Sequence, residues 1–214
     1  MSMRVMVILA AVLVIVPFYI YFERQKPQPR TIVLLTVLIG LAVAGRAAFF
    51  MVPFFKPVLA FAVIAGISMG ANAGFIVGSM TALVSNFLFG QGPWTVFQMV
   101  AWGMVGLLAG LLAENLLSGR LPSGKIMVGK RRIPMMIYGF LAAFLIHGII
   151  TDLWTLFFVN EDPNLATVLS VYGAALIPDA ILGVATAFFL LVLGEPIIGK
   201  IQRVKEKYGM DCVK

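Results

Sequence analysis

Eight side chains with binding chemistry stand near the ends of long apolar runs: Arg46, Asn86, Gln91, Trp94, Gln98, Trp102, Asp152 and Tyr172. Asn86, Gln91 and Gln98 can each donate and accept hydrogen bonds. The tryptophans and Tyr172 offer flat apolar walls with one polar handle, and Arg46 and Asp152 supply charge. Such a set suits the capture of a ring-shaped, polar-edged small molecule. A charged or amide group inside a bilayer costs a few kcal/mol, so those present face a partner or a watery cavity. The competing reading is structural: Arg46 and Asp152 form one ion pair, and the amides tie helices together.

Bond-making chemistry has weaker support. Gly119-Arg-Leu-Pro-Ser-Gly124-Lys125-Ile126 follows a phosphate-binding loop up to its last position, where Ile126 replaces the Ser or Thr that would hold magnesium. That segment also joins two apolar helices, whereas a working phosphate loop follows a strand. Ser68 and the single histidine, His147, could suggest an intramembrane serine protease. Nucleophile and base must meet within hydrogen-bond reach, yet Ser68 is expected near one face and His147 near mid-depth. The one cysteine, Cys212, excludes an internal disulfide framework and a cysteine-based metal site.

The elements that must position these residues follow from composition. The chain has 214 residues, 61% apolar and only 12% charged, with a mean hydropathy of +1.03. A soluble domain would carry about 25% charge, so the composition is that of a membrane protein and excludes an aqueous catalytic or nucleic-acid-binding domain. Apolar runs bounded by charge, Pro and Gly predict helices over 3–22, 31–50, 57–70, 72–90, 95–117, 133–159 and 165–194. Residues 57–90 as one helix would measure about 51 Å against a hydrocarbon core of about 30 Å. Gly70-Ala71-Asn72 is therefore the expected break. The first run lacks a small-residue cleavage site and reads as a helix, not a signal peptide.

Charge sets the expected orientation. Arg24, Lys26 and Arg30 occupy the first linker; Arg120, Lys125, Lys130, Arg131 and Arg132 the loop after the fifth helix; and Lys200, Arg203, Lys205, Lys207 and Lys214 the tail. With 57–90 split, these thirteen of the sixteen basic residues share one side, cytoplasmic by the positive-inside rule. The N-terminus is then outside and the C-terminus inside. The outer loops, Met51 to Pro57, Gly90 to Trp94 and Asn160 to Asn164, are short, and the last holds Glu161 and Asp162. The polar set falls in the outer halves of five helices, as an outward-opening pocket requires.

Small residues recur every four positions in two places, a spacing that lets helix backbones approach closely. Thr36, Gly40 and Ala44 mark the second helix, where internal packing and contact with another protein are both open. Ala62, Gly66, Gly70, Gly74, Gly78 and Ala82 run through the next two helices, and there internal packing is favoured.

Three stretches carry a resemblance: Gly45-Arg46-Ala47-Ala48-Phe49 with Phe55-Lys56-Pro57; Ala73-Gly74-Phe75-Ile76-Val77-Gly78; and Ser85-Asn86-Phe87-Leu88-Phe89-Gly90-Gln91-Gly92-Pro93-Trp94-Thr95 with Gln98 and Ala101-Trp102-Gly103. Together they resemble the substrate-binding S-components of energy-coupling-factor (ECF) vitamin transporters, and within them the cobalamin type. The likeness covers about residues 31–200. It implies a six-helix substrate-binding domain over 31–200 and does not explain the first helix; with the extra N-terminal helix and basic linker read over 1–30 and the basic tail over 201–214, the whole is expected to be an all-α polytopic bundle. It further implies capture of a vitamin from outside and docking on a transmembrane coupling subunit driven by two ATPases, with no catalytic residue, metal or cofactor of the chain's own and no nucleic-acid partner. In that family a small-residue stripe on the first core helix touches the coupling subunit, which maps to Thr36, Gly40 and Ala44. The ligand implied is cobalamin; the polar set alone suits a flavin, a benzimidazole or a deazapurine such as a queuosine precursor equally well. An intramembrane enzyme or a structural membrane subunit are the readings from other classes.

Overall fold

The computed structural model describes residues 3–116, 132–158 and 164–209. The phosphate-loop look-alike, most of the second basic cluster, Glu161, Asp162 and Cys212 lie outside the described residues, as does the side chain of Asn115. The chain is an all-α membrane bundle. Its helices are α1 (Met3–Arg24), α2 (Pro29–Ala48), α3 (Val58–Met69), α4 (Ala71–Phe89), α5 (Trp94–Leu116), α6 (Arg132–Leu141), α7 (Gly148–Phe158), α8 (Leu165–Phe189) and α9 (Glu195–Tyr208). A π-helical turn, Ala142–His147, joins α6 to α7, and another, Leu190–Gly194, joins α8 to α9. Among the described residues, five helical stretches are long and apolar enough to cross a bilayer.

The expected break falls at Gly70, whose φ of 105° belongs to the region that favours glycine. It ends α3 and starts α4: its N–H donates to Gly66 O at 3.0 Å, and its own carbonyl accepts from Gly74 N at 3.1 Å. α3 is only twelve residues long, and all but Ile67 are buried, so it is wrapped by its neighbours. α4 and α5 pack most closely. A Cβ on Gly66 or Gly74 would strike the Gly106 carbonyl, one on Gly78 the Trp102 carbonyl, and one on Gly110 the backbone of Ala71. The second small-residue series is thus the internal α3–α4–α5 contact, where missing side chains let three backbones meet.

The first series behaves differently. Thr31, Leu35, Leu38 and Ala42 form the buried face of α2, whereas Thr36, Gly40 and Ala44 are exposed. A Cβ on Gly40 would meet nothing within 4 Å. α1 packs on α4 and α5, through a Phe18–Phe75 ring stack at 3.9 Å and a Tyr19–Ser79 hydroxyl pair at 2.8 Å.

One boundary differs from the sequence expectation. The last membrane helix was expected to stop at 194, with a basic tail from 201, but helix continues from Leu165 to Tyr208. Gly194 and Pro196 look like stop signals. The helix runs through both, with the former inside the π-helical turn and Pro196 at the start of α9. α9 buries Ile198 and Ile201 and exposes Lys200, Arg203 and Lys207. The Lys205 ammonium donates to Ser68 O at the end of α3, at 3.0 Å. The Arg30 guanidinium at the start of α2 lies 4.6 Å from the Tyr208 ring. α9 therefore runs across the ends of α3 and α2 opposite to the end that carries Arg46.

Candidate ligand-binding site

At the Arg46 end, α2, α4 and α5 bring a continuous polar network together. Arg46 Nη1 donates to Ser85 Oγ and, at 2.8 Å, to Asn86 Oδ1. Asn86 Nδ2 in turn donates to Gln98 Oε1 at 2.7 Å and to Thr95 Oγ1 at 2.9 Å. The Thr95 hydroxyl donates to Gln91 Oε1 at 2.8 Å, and Gln91 Nε2 donates to Leu83 O at 3.0 Å. Asn86 is only 1% exposed, so the hub of the network is well shielded from its surroundings. Helix geometry explains the assembly. Ser85 and Asn86 lie near the end of α4, Thr95 and Gln98 lie in the opening turns of α5, and a short connection between them closes the angle. Gly90, with φ of 110°, lets the chain leave α4 sharply.

Aromatic rings flank the network. The Arg46 guanidinium lies 4.9 Å from the Phe89 ring and 5.3 Å from the Trp102 ring, distances at which a cation is attracted to the ring face. Trp94 packs edge-on against Trp154 at 5.8 Å, and Trp154 stacks on Phe158 at 4.1 Å. Lys56, in the turn between α2 and α3, lies close enough to feel Arg46. Burial, and then the neighbouring guanidinium, hold its amine below the usual lysine range.

Of the eight residues expected to bind, Arg46, Asn86, Gln91, Gln98 and Trp102 meet in this assembly, and Trp94 joins the aromatic wall beside it. Asp152 and Tyr172 belong to a second group between α7 and α8. There Tyr172 donates to Ile149 O at 3.3 Å, His147 Nδ1 lies 3.8 Å from Asp179 Oδ1, and one buried Asp152 oxygen has no hydrogen-bond partner. Among the described residues Arg46 pairs with no carboxylate, so the Arg46–Asp152 ion pair of the structural reading is not formed. Ser68 and His147 do not meet either. The Ser68 hydroxyl donates to Ile64 O at 2.6 Å while His147 faces Asp179.

Sequence reasoning gave too little weight to Thr95, Lys56 and Phe89. Thr95 could have been found from its place at the start of α5, where hydroxyl side chains commonly satisfy nearby polar groups. Nothing local marks Lys56 or Phe89, since the fold alone brings them to Arg46. The arrangement can bind and orient, because amides, hydroxyls and a guanidinium converge beside indole and phenyl rings. No family model, curated protein or solved structure matches this chain.

Proposed function

We propose that this chain is the vitamin-binding membrane subunit of an ECF-type transporter, with cobalamin as its vitamin. The observation that carries the reading is the Arg46–Asn86–Gln98 network. It joins three helices to Gln91 in the α4–α5 connection, beside Trp94 at the start of α5, at the end that the positive-inside rule assigns to the outside. Network members exchange hydrogen bonds with one another, and a ligand's amide or carbonyl edge offers them equivalent partners as Gln91 and Trp94 swing aside. The exposed Thr36, Gly40 and Ala44 stripe supports the second half of the proposal. It is a close-approach surface that the described residues leave uncovered, as docking on a coupling subunit requires. ATP hydrolysis then belongs to partner subunits.

The test is equilibrium titration of the purified chain with cyanocobalamin, without and with Trp94→Ala or Gln98→Ala. Losing one buried hydrogen bond to ligand costs ~1–3 kcal/mol, so affinity should fall about 5- to 150-fold. Binding of riboflavin but not cobalamin would keep the subunit and change the vitamin. No binding of any vitamin, or formation of a product from one, would overturn the proposal.

A further inference from the structure

The donors at the Arg46 end outnumber the acceptors. Arg46 places only Nη1 in hydrogen bonds, on Ser85 and Asn86, leaving the rest of a five-donor fork unspent. Trp102 is 5% exposed, yet among the described residues its Nε1 has no hydrogen-bond partner, although its ring lies 5.3 Å from the Arg46 guanidinium. A buried indole N–H without an acceptor is uncommon enough to need an explanation. Lys56 adds a second cation nearby, and among the described residues neither Lys56 nor Arg46 has a carboxylate partner. The carboxyl groups of Asp152 and Asp179 belong to the α7–α8 group, where Asp179 faces His147. A guanidinium with unspent donors thus lies beside an orphan donor, with Lys56 in the adjoining turn, and no carboxylate among the described residues pairs with either cation.

We infer that Arg46, with Trp102 beside it and Lys56 adding charge at the same end, forms a subsite for an anionic oxygen group, a phosphate or carboxylate borne by a soluble ligand. A guanidinium offers such a group two parallel charge-assisted hydrogen bonds. The indole N–H supplies a third donor, and Lys56 the remaining charge. The Phe89 and Trp102 rings lie 4.9 and 5.3 Å from the guanidinium, within range of a cation–π attraction. The inference rests on the ligand-binding reading above and adds which chemical group is read at this end. A lipid headgroup carries the same phosphate chemistry, so the experiment separates the two sources.

Trp94→Phe with Trp154→Phe leaves Trp102 as the single tryptophan, whose emission reports on the subsite. In a phosphate-free maltoside detergent, inorganic phosphate replaces chloride at constant ionic strength. Emission should change saturably, and Arg46→Gln should shift the midpoint upward about tenfold or more, the worth of a charge-assisted bond. Lys56→Gln, in a turn outside the helices, should shift it in the same direction and serves if Arg46→Gln fails to fold. An unresponsive Trp102, or an unchanged midpoint in both variants, overturns the inference. So does loss of the phosphate response after addition of phosphatidylglycerol, which would assign the subsite to lipid. Cyanocobalamin titration of the parent runs alongside. A parent that binds the vitamin but ignores phosphate loses this subsite and keeps the transporter reading. One that responds to phosphate and binds no vitamin does the reverse.

Discussion

Asn86 concentrates the chemistry of the site in one side chain. Its carbonyl oxygen accepts from Arg46, and its amide donates to Thr95 and Gln98. Asn86→Leu would remove all three bonds at once and leave a guanidinium N–H and two oxygens short of partners in a buried setting. Each such group costs ~1–3 kcal/mol, so the variant should unfold at lower temperature in detergent and bind ligand more weakly. Asn86→Asp would keep the acceptor and add charge opposite Arg46, but lose the donations to Thr95 and Gln98. Thermal unfolding of the three proteins by circular dichroism checks the order: parent and Asn86→Asp above Asn86→Leu. Equal stability of the Asn86→Leu variant and the parent would mean that the network carries no structural weight. Residue identity made this group visible in sequence, because amides and an arginine in apolar helices are costly. Its pairing was not visible. Arg46 and Asp152 are opposite charges at similar expected depth, yet α2 faces α4 and α3 while Asp152 turns toward α8.

The helices divide by what their glycines touch. In α4, Gly74 meets the Gly106 carbonyl of α5, so Gly74→Val drives a branched side chain into backbone that cannot yield. Overpacking of this kind costs ~1–3 kcal/mol or more, and Gly74→Val should give poorly folded, aggregating protein. In α2, Gly40→Leu adds a side chain to open space and should leave stability within about 0.5 kcal/mol of the parent. If the stripe docks a coupling subunit, Gly40→Leu should abolish uptake in cells while the isolated chain still binds vitamin. Size-exclusion profiles, a binding titration and cellular uptake separate the outcomes. Joint loss of binding and uptake in Gly40→Leu would return the stripe to internal packing. The four-residue spacing is identical in both series; a one-dimensional pattern carries no information on which face of a helix meets a neighbour.

At the scale of the molecule, the basic face of α9 and the site occupy opposite ends. α9 crosses the ends of α3 and α2 with Lys205 on Ser68 O, while the Arg46 network closes the other end. In a Cys212-free background, a cysteine at position 164 should react with an impermeant maleimide in intact cells, and one at position 125 only after permeabilisation. Labelling of both from one face would overturn the orientation and the outward site together.

Composition by itself determined that the chain is an all-α membrane bundle, since apolar runs of bilayer length permit little else. Length called for a break within 57–90, about 51 Å as one helix against a core of about 30 Å, and Gly70-Ala71-Asn72 was its natural place. The types of the binding residues were legible for the same reason: polar groups stand out against an apolar background. The tertiary structure decided what depends on contact between distant segments. It gathered Arg46, Asn86 and Gln98, sent Asp152 and Tyr172 to another interface, buried one small-residue stripe and exposed the other, and carried the last helix through Gly194 into α9. Helical rotation and neighbour choice are set by packing of whole faces, and no single stretch of sequence contains both partners.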